Sequence, residues 1–479
     1  MPETLKRRTI KAIAWNAGQK YGTLAITFLT NIVLARLLSP DDFGIIGLLA
    51  VFIAISNAIL DGGFSSSLIQ RKEVTQIDYS TIFFWNLGIS IIIVVSLVTC
   101  SPLIGQYFHK PILTKILKVE SSILLINSFC VVQQTILIKK LQFKLLAFRS
   151  IIAAILSSTI GIILAYKGYG VWALVWQGIL NSFFSAILLW TVAKWSPSMI
   201  YSWKSIKKMY KFGTYIFVSS ICNTLYINIQ SFIIGKVFSI SDLGYYSQAK
   251  KLESVPVDGT SSVLNAVLFP VYSSVADNHT QHIAIVRKNM NLISFVTVPL
   301  MILLIIIAKP LIITLFSSKW EPSIPMFQIL CIAGIFTPLN MANTEIFKSI
   351  GAGGIYFILQ TVKRIIGVII ILCFVPFGFY PLLWASTIIG IISYGINLYF
   401  SNKYFGYSYK SQIADILPNI ILGIFTGILV KFILYNFNMS YFSNIGKLVM
   451  NIILFILIYC GASLICKMRG PKLIRDLLR

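Results

Sequence analysis

Lys363 and Arg364 are neighbouring cations in the middle of an apolar stretch long enough to cross a membrane. A charge at the centre of a bilayer costs about 2.5–3.5 kcal/mol on insertion scales, so two adjacent charges require an explanation. A bound phosphate or pyrophosphate group would supply the missing anion. Pairing with Glu345, or extension of the two side chains to the membrane surface, explains the cations equally well.

A second set of buried charges lies near the start of the chain. Lys20 falls in the first apolar stretch and Asp61 in the second, at similar distances from the same end of their helices. Adjacent antiparallel helices would bring the two side chains to one depth, so we predict an ion pair between Lys20 and Asp61. Such a pair either offsets two burial costs or contacts a substrate, and the sequence favours neither role.

The most polar of the membrane-length stretches spans residues 245–276. Lys250 and Glu253 lie along one stripe of the predicted helix, and Lys251 and Asp258 lie along the next. Because this face cannot meet lipid, we predict that it lines a wet cavity or contacts another helix. The alternative is an outer loop followed by a short membrane span.

The sequence contains no pattern typical of a metal centre, a cofactor site or a catalytic site. The 7 cysteines lie in apolar stretches without a C-x-x-C pair, and the 3 histidines lie in polar breaks. A phosphate-binding G-x-x-x-x-G-K-[ST] loop is absent, so ATP is not the expected direct energy source. The polar breaks are too short to hold a catalytic domain, which weighs against a membrane glycosyltransferase or polymerase. We expect a protein that is not an enzyme.

The elements that must position the intramembrane charges are membrane helices. Only 11% of the 479 residues are charged and 57% are hydrophobic, whereas soluble domains carry about 25% charged residues. This composition excludes a soluble globule and a disordered chain. We predict an all-α integral membrane protein with about fourteen transmembrane helices. The predicted spans are 13–36, 43–67, 80–104, 117–138, 147–166, 171–193, 212–235, 245–276, 291–316, 324–347, 352–375, 378–400, 413–435 and 446–466.

The net charge of +25 is interpreted through membrane topology rather than nucleic-acid binding. If the N-terminus is cytoplasmic, 25 of the 40 basic residues lie in inner segments and 8 in outer segments. This bias predicts that both termini are cytoplasmic. The basic tail, residues 467–479, is expected to form a short helix on the inner leaflet. No cleavage site follows the basic N-terminal segment, so we expect the first helix to be retained.

The chain contains one internal match, between residues 31–44 (NIVLARLLSPDDFG) and residues 231–244 (SFIIGKVFSISDLG). Each copy joins two predicted spans through a short outer turn, in which Ser and Asp can cap the next helix and Gly lets the chain turn. Six spans separate the copies, which predicts two parallel six-helix lobes, residues 1–200 and 201–405, followed by two further helices in residues 406–479. Chance similarity between two such junctions is the alternative. The matched residues are Arg36, Ser39, Asp42 and Gly44, and Lys236, Ser239, Asp242 and Gly244.

Three stretches of the chain resemble the polysaccharide flippases, the Wzx-like exporters of the superfamily that also contains multidrug extruders and the lipid II flippase. They are NIVLARLLSPDDFGIIGLL, LDGGFSSSLIQRKEVTQIDYSTIFFWNL and DLGYYSQAKKL. The colanic-acid and teichuronic-acid exporters are the most similar subgroup. The resemblance implies a V-shaped transporter with a central cavity. It would move an undecaprenyl-pyrophosphate-linked oligosaccharide across the bacterial inner membrane by alternating access, for exopolysaccharide, O-antigen or capsule synthesis.

The same resemblance implies roles for the intramembrane charges. Cavity cations of the relatives meet the pyrophosphate and sugars, and carboxylates couple transport to an ion gradient, with proton and sodium both open. The implied substrate-binding cations are Lys20, Lys250, Lys251, Lys363 and Arg364. The implied coupling carboxylates are Asp61, Glu253 and Asp258.

The expected partners are the lipid-linked oligosaccharide, the bilayer and polysaccharide polymerase or assembly proteins, without nucleic acid, metal or cofactor. A drug or metabolite extruder of the same fold is the nearest rival, but it would bind organic cations and should have a carboxylate-rich cavity. A lipid II flippase differs only in the headgroup that it moves. A passive assembly role is the remaining alternative.

Overall fold

The computed structural model describes residues 5–436 and 442–478, which form helices and turns without a β-strand. The first four residues of the basic N-terminal segment and the last residue of the basic tail lie outside the described residues. In the first half of the chain the helices are α1 (Leu5–Leu37), α2 (Pro40–Asp61), α3 (Phe64–Gln70), α4 (Gln76–Tyr107), α5 (Pro111–Glu120), α6 (Ser122–Ser128), α7 (Val131–Lys139), α8 (Phe143–Tyr166) and α9 (Val171–Ala193). In the second half they are α10 (Trp203–Val237), α11 (Ile240–Ser273), α12 (His279–Phe316), α13 (Ser323–Ser349), α14 (Gly353–Phe374), α15 (Phe379–Phe405), α16 (Tyr409–Asn436), α17 (Asn444–Ile465) and α18 (Arg469–Leu478).

The predicted all-helical membrane architecture is confirmed. Within the described residues, 11 helices are long and apolar enough to cross a membrane, and a bent pair made by α5–α6 and α7 raises the number to 12. The two remaining predicted spans coincide with α1 and α11, which are not among these helices. Helix α11 carries the polar stripe of Lys250, Lys251 and Glu253, which lowers its mean hydropathy. The total of fourteen spans therefore stays a prediction.

The chain divides into two compact units, one up to Gly244 and one from Tyr245. In the first unit α1 packs along α8, α8 packs on α9, and α10 packs along α2. Because α10 packs against α2 and α3, it belongs to this first unit, although the predicted lobe boundary at residue 200 assigns it to the second lobe. The lobe boundaries themselves remain predictions based on the repeat.

In the second unit α12 is the central helix. It packs against α13, α16 and α17, while α13 also packs against α15, and α14 packs against α15. A buried apolar cluster joins α12, α16 and α17. The members of this cluster are Phe295, Leu422, Val430, Phe455 and Tyr459. Helices α13, α14 and α15 thus form one side of the unit, and α16 and α17 form another around α12.

Candidate functional site

The polar stripe of α11 contains an ion pair with one buried and one accessible partner. Lys250 Nζ lies 2.8 Å from Glu253 Oε2, one helical turn away. The Glu253 side chain is only 2% exposed, whereas that of Lys250 is 51% exposed. Glu253 also packs against α13, where a Cβ atom on Gly334 would lie 2.8 Å from Glu253 Oε1. The glycine therefore provides the space that the buried carboxylate occupies.

The two other charges of this stripe, Lys251 and Asp258, are exposed on α11. The accessible side of the helix thus carries Lys250 and Lys251 next to each other, and the buried Glu253 carboxylate pairs with Lys250. Such an arrangement can bind an anion, because a phosphate oxygen can take the place of the carboxylate at the lysine ammonium.

Lys363 occupies a different environment, inside the bundle of α13, α14 and α15. The residue is 8% exposed, and its Nζ donates a 3.3 Å hydrogen bond to Asn397 Oδ1 on α15. Asn397 Nδ2 in turn donates to Asn340 Oδ1 on α13 at 2.7 Å, and Asn340 Nδ2 donates to the Gly390 carbonyl at 3.1 Å. Lys363 is therefore part of a network of neutral amides rather than of a charged pair.

Lys363 and Glu345, which the sequence offered as a pair, have different partners in the structure. Glu345 is paired with Lys348, with 2.6 Å between Nζ and Oε1, and does not pair with Lys363. Arg364, the next residue, is half-buried. The substrate-binding roles of Lys363 and Arg364 stay predictions.

The predicted ion pair between Lys20 and Asp61 is not formed. Helix α1 packs on α8, where Gln19 Nε2 donates to Ser150 Oγ at 2.8 Å, rather than along the sequence-adjacent α2. Lys20 is exposed, and Asp61 accepts a hydrogen bond from Ser65 Oγ. The prediction assumed that consecutive spans are neighbours in space, and helix packing separates these two.

Both copies of the internal repeat form the predicted helix caps. The Ser39 backbone N–H and hydroxyl donate to Asp42 Oδ2 at 2.9 and 2.7 Å, and the Asp42 N–H donates back to Ser39 Oγ. Ser239 and Asp242 make the same bonds at 3.2 and 2.7 Å, with a return bond of 2.9 Å. This reciprocal arrangement satisfies free N–H groups at the start of α2 and of α11.

The two repeat turns also contact each other, and we call this the repeat contact. A Cβ atom on Gly44 would lie 1.9 Å from the Ile240 carbonyl oxygen, and one on Gly244 would lie 1.9 Å from the Pro40 carbonyl oxygen. The Ser241 hydroxyl donates to the Asp41 carboxylate. The contact is symmetric, because Gly44 and Gly244 hold the same position in the two copies, and so do their partners Pro40 and Ile240. Only glycine permits this approach of the two backbones.

The two matched cations of the repeat differ in their surroundings. Lys236 Nζ donates to the Tyr107 carbonyl at 2.6 Å and lies 3.5 Å from the centre of the Tyr107 ring. It therefore fixes the end of α10 to the end of α4. Arg36, its counterpart, has an exposed side chain near the end of α1.

Asp415 forms a polar centre that the sequence analysis missed. Its carboxylate is fully buried and accepts from Arg287 Nε at 2.8 Å, from the Tyr407 hydroxyl at 2.9 Å and from Arg469 Nη1 at 3.3 Å. Burial and the neighbouring carboxylate raise the pKa of Tyr407, which lies in the turn between α15 and α16. In the sequence, a carboxylate inside the predicted span 413–435 was the signal that could have found this centre. In the structure, Asp415 connects α12, α16 and α18.

The helical arrangement is similar to that of solved flippase and multidrug transporter structures. The fold is similar to that of the lipid II flippase MurJ in an inward closed conformation, with a TM-score of 0.77 at 16% identity over 96% of this chain and 99% of that one. An inward-facing multidrug resistance MATE family transporter is similar with a TM-score of 0.56, at 18% identity over 86% and 95% of the two chains.

The chain belongs to the polysaccharide biosynthesis protein family, whose model matches residues 33–325. The succinoglycan biosynthesis transport protein ExoT of Rhizobium meliloti (strain 1021) is 24% identical over 74% of this chain and 72% of its own. The lipopolysaccharide biosynthesis protein WzxC of Escherichia coli (strain K12) is 24% identical over 69% and 68%. The teichuronic acid biosynthesis protein TuaB of Bacillus subtilis (strain 168) is 27% identical over 62% of each chain. The resemblance found in the sequence is thereby confirmed, and the protein is a multi-pass membrane protein.

Proposed function

We propose that the protein flips an undecaprenyl-pyrophosphate-linked oligosaccharide across the bacterial inner membrane during the synthesis of an exopolysaccharide, an O-antigen or a capsule. Membership of the polysaccharide biosynthesis protein family supports this proposal, as do the names of the relatives, one of which is a succinoglycan transport protein. The transporter fold supports a translocation step rather than a synthetic one. Both chain termini are proposed to be cytoplasmic, as the distribution of basic residues predicts.

The observation that carries the proposal is the pair of accessible lysines on α11. Lys250 and Lys251 are exposed, while the Glu253 carboxylate that balances Lys250 is buried behind it. A pyrophosphate group carries several negative oxygens and would bind both ammonium groups at once. The headgroup would thus be held at α11 while the polyprenyl chain remains in the bilayer.

The same pair suggests how binding is linked to an ion gradient. When a phosphate takes the place of Glu253 at Lys250, the carboxylate remains buried without its partner. An uncompensated buried charge costs several kcal/mol, so the carboxylate requires a new cation. We propose that a proton or a sodium ion fills this role at Glu253. Asp61 and Asp258 remain further coupling candidates.

Alternating access requires that the two repeats separate and re-form a contact during the cycle. The repeat contact between Gly44 and Ile240, with its symmetric partner at Gly244, holds α2 and the start of α11 together on the predicted outer side. We propose that this contact opens when the substrate is released. The glycines let the two backbones approach, so the contact re-forms with the Ser241–Asp41 hydrogen bond and the Ile240 side chain as the side-chain contacts to restore.

The proposal is tested by transport in sealed vesicles that contain the purified protein and a fluorescent lipid-linked oligosaccharide. We expect Lys250→Gln and Lys251→Gln each to slow translocation by about 10-fold or more, because one charge-assisted phosphate contact contributes roughly 1.5–3 kcal/mol. Translocation at the normal rate in both variants would contradict a phosphate site on α11. Transport of a small cationic drug, without transport of the oligosaccharide, would instead support the alternative function of a drug or metabolite extruder.

A matched control is available in the same unit. Lys309 pairs with Glu321 at 2.9 Å, but both side chains are largely exposed. Exposed pairs contribute about 0–1 kcal/mol to stability, so Lys309→Gln removes a lysine from a Lys–Glu pair at little cost. We expect this variant to translocate within about twofold of the unaltered protein. A loss in Lys309→Gln equal to the losses in Lys250→Gln and Lys251→Gln would mean that net charge, rather than the α11 site, is responsible.

A further inference from the structure

The junction between α17 and α18 forms a basic cavity that the transport proposal does not use. The cavity has a volume of about 300 Å³ and is lined by three cations, Lys467, Lys472 and Arg475. Its remaining wall is formed by Ser463, Leu464, Met468 and Pro471. The volume lies at the lower end of the range for small-molecule sites, about 300–1,000 Å³, and suits a compact headgroup.

The turn that leads into α18 fixes one of the three cations in an unusual backbone conformation. Lys467 has φ 49°, in the left-handed region that favours glycine. The Met468 N–H donates to the Ser463 carbonyl at 2.9 Å and the Lys467 N–H to the Leu464 carbonyl at 3.1 Å, which completes a helix C-cap. A glycine would adopt this backbone conformation more easily, so the lysine carries a conformational cost. Its side chain lines the cavity together with those of Lys472 and Arg475.

Helix α18 is docked on the protein, so the cavity has defined walls. A Cβ atom on Gly470 would lie 2.2 Å from Cγ of Phe295 on α12, which shows that the helix start is pressed against that ring. Arg469 Nη1 donates to the buried Asp415 carboxylate at 3.3 Å. Arg469 therefore anchors the helix, and the other three cations face the cavity.

Among the residues whose side chains the structure describes, which exclude Asp476, no acidic residue forms an ion pair with Lys467, Lys472 or Arg475. The tail from residue 467 contains five basic residues and one acidic residue. Like charges brought into one cavity repel each other, and an anion bound among them would offset this repulsion. The site therefore selects an anionic ligand.

The surface next to the cavity identifies the kind of anion. Leu464 and Ile465, at the end of α17, are 66% and 83% exposed, and they directly precede the basic turn. Large apolar side chains beside a basic cavity at a membrane-helix end match an acyl chain below a charged headgroup. A soluble phosphate ion has no apolar part that could contact this surface.

We propose that Lys467, Lys472 and Arg475 bind the phosphate of an anionic membrane phospholipid from the leaflet on the C-terminal side of the protein. Ile465 and Leu464 contact the upper part of its acyl chain. The bound lipid acts as a bridge between α17 and α18. This site is separate from the α11 lysines and does not depend on the identity of the transported molecule.

The test measures lipid binding to the full-length purified protein in neutral detergent. Phosphatidylglycerol and phosphatidylcholine with identical acyl chains are titrated, and bound lipid is counted by native mass spectrometry. We expect phosphatidylglycerol to bind more tightly. Each basic residue near an anionic lipid contributes about fivefold in affinity, so the variant with Lys467→Gln, Lys472→Gln and Arg475→Gln should bind about 100-fold more weakly.

The matched control replaces Lys204, Lys207 and Lys208, three exposed lysines at the start of α10, by Gln. It changes the net charge equally and should bind phosphatidylglycerol within about threefold of the unaltered protein. An equal loss in the control would show that net charge alone attracts the lipid and would overturn the proposal. If the triple variant fails to fold, Lys472→Gln with Arg475→Gln leaves the turn intact and should weaken binding about 25-fold.

A competition arm separates a lipid site from a site for a free anion. Inorganic phosphate and pyrophosphate at millimolar concentration should displace little phosphatidylglycerol, because neither ion contacts Leu464 and Ile465. Displacement of most of the bound phosphatidylglycerol by either ion at that concentration would overturn the lipid proposal in favour of a soluble phosphate site. Equal affinity for phosphatidylglycerol and phosphatidylcholine would also overturn it.

Discussion

Two intramembrane lysines that look alike in the sequence differ in their partners. Lys250 on α11 is half exposed and pairs with the buried Glu253 carboxylate, whereas Lys363 on α14 is buried and bonds to the neutral Asn397 amide. At α11 the buried charge is the Glu253 carboxylate, which needs Lys250 to compensate it. At α14 the buried charge is Lys363 itself, which is held by neutral amides. A lysine can meet a substrate only if its ammonium is accessible, so the α11 region is the better candidate for binding.

The two lysines also differ in what is left buried when each is removed. Removing a cation from beside a buried carboxylate leaves an uncompensated buried charge. Removing a cation from a neutral amide leaves only an unused hydrogen-bond acceptor. The two regions should therefore respond to the same substitution with effects of different size, which can be measured.

The largest effect is expected for the α11 pair in a double-mutant cycle. Lys250→Met should lower the free energy of unfolding by about 3 kcal/mol, because Glu253 stays buried without its cation. Glu253→Met should cost about 1 kcal/mol or less, because Lys250 remains half exposed. The double variant should approach the stability of the unaltered protein, which corresponds to a coupling energy of about 3–4 kcal/mol, the sum of the two single losses. Unfolding in mixed micelles provides the measurement.

The double variant also separates stability from binding. If Lys250 contacts the lipid-linked substrate, the variant with both Lys250→Met and Glu253→Met should be stable and still translocate poorly. Recovery of transport together with stability would mean that the pair serves only the fold. Additive losses in the two single variants would contradict the ion pair itself.

Much of the fold could be predicted from the sequence because it depends on local patterns. Apolar length located the helices that are long and apolar enough to cross a membrane, and the Ser–Asp spacing of the repeat predicted the caps that Ser39 and Ser239 begin. Contacts between helices could not be predicted in the same way. The predicted pair of Lys20 and Asp61 failed because α1 packs on α8, and the bond between Lys363 and Asn397 depends on how α14 and α15 are rotated. A single sequence specifies which residues are polar, but rarely which neighbours they meet.

An intermediate effect is expected in the amide network. Asn397 is fully buried and bonds both Lys363 and Asn340, so Asn397→Leu should lower the free energy of unfolding by about 2 kcal/mol. Asn397→Asp is the informative counterpart, because it gives Lys363 a carboxylate and makes this region resemble the α11 pair. We expect it to be clearly more stable than Asn397→Leu in the same unfolding titration. Equal destabilisation by both variants would indicate that Lys363 does not use this partner.

The smallest effect is expected for Lys363→Met, the direct counterpart of Lys250→Met. The substitution removes a buried cation and one hydrogen bond of 3.3 Å, while the bond between Asn397 and Asn340 remains. The loss of that bond and the relief from burying a charge oppose each other, so stability should change by less than about 1 kcal/mol. Translocation in vesicles should stay within about threefold, since the ammonium is enclosed by α13, α14 and α15. A stable Lys363→Met protein that no longer translocates would mean that the C-terminal unit opens during transport and presents Lys363 to the substrate. The distinction between the two lysines would then belong to one state of the cycle, and the substrate path would extend from α11 to α14.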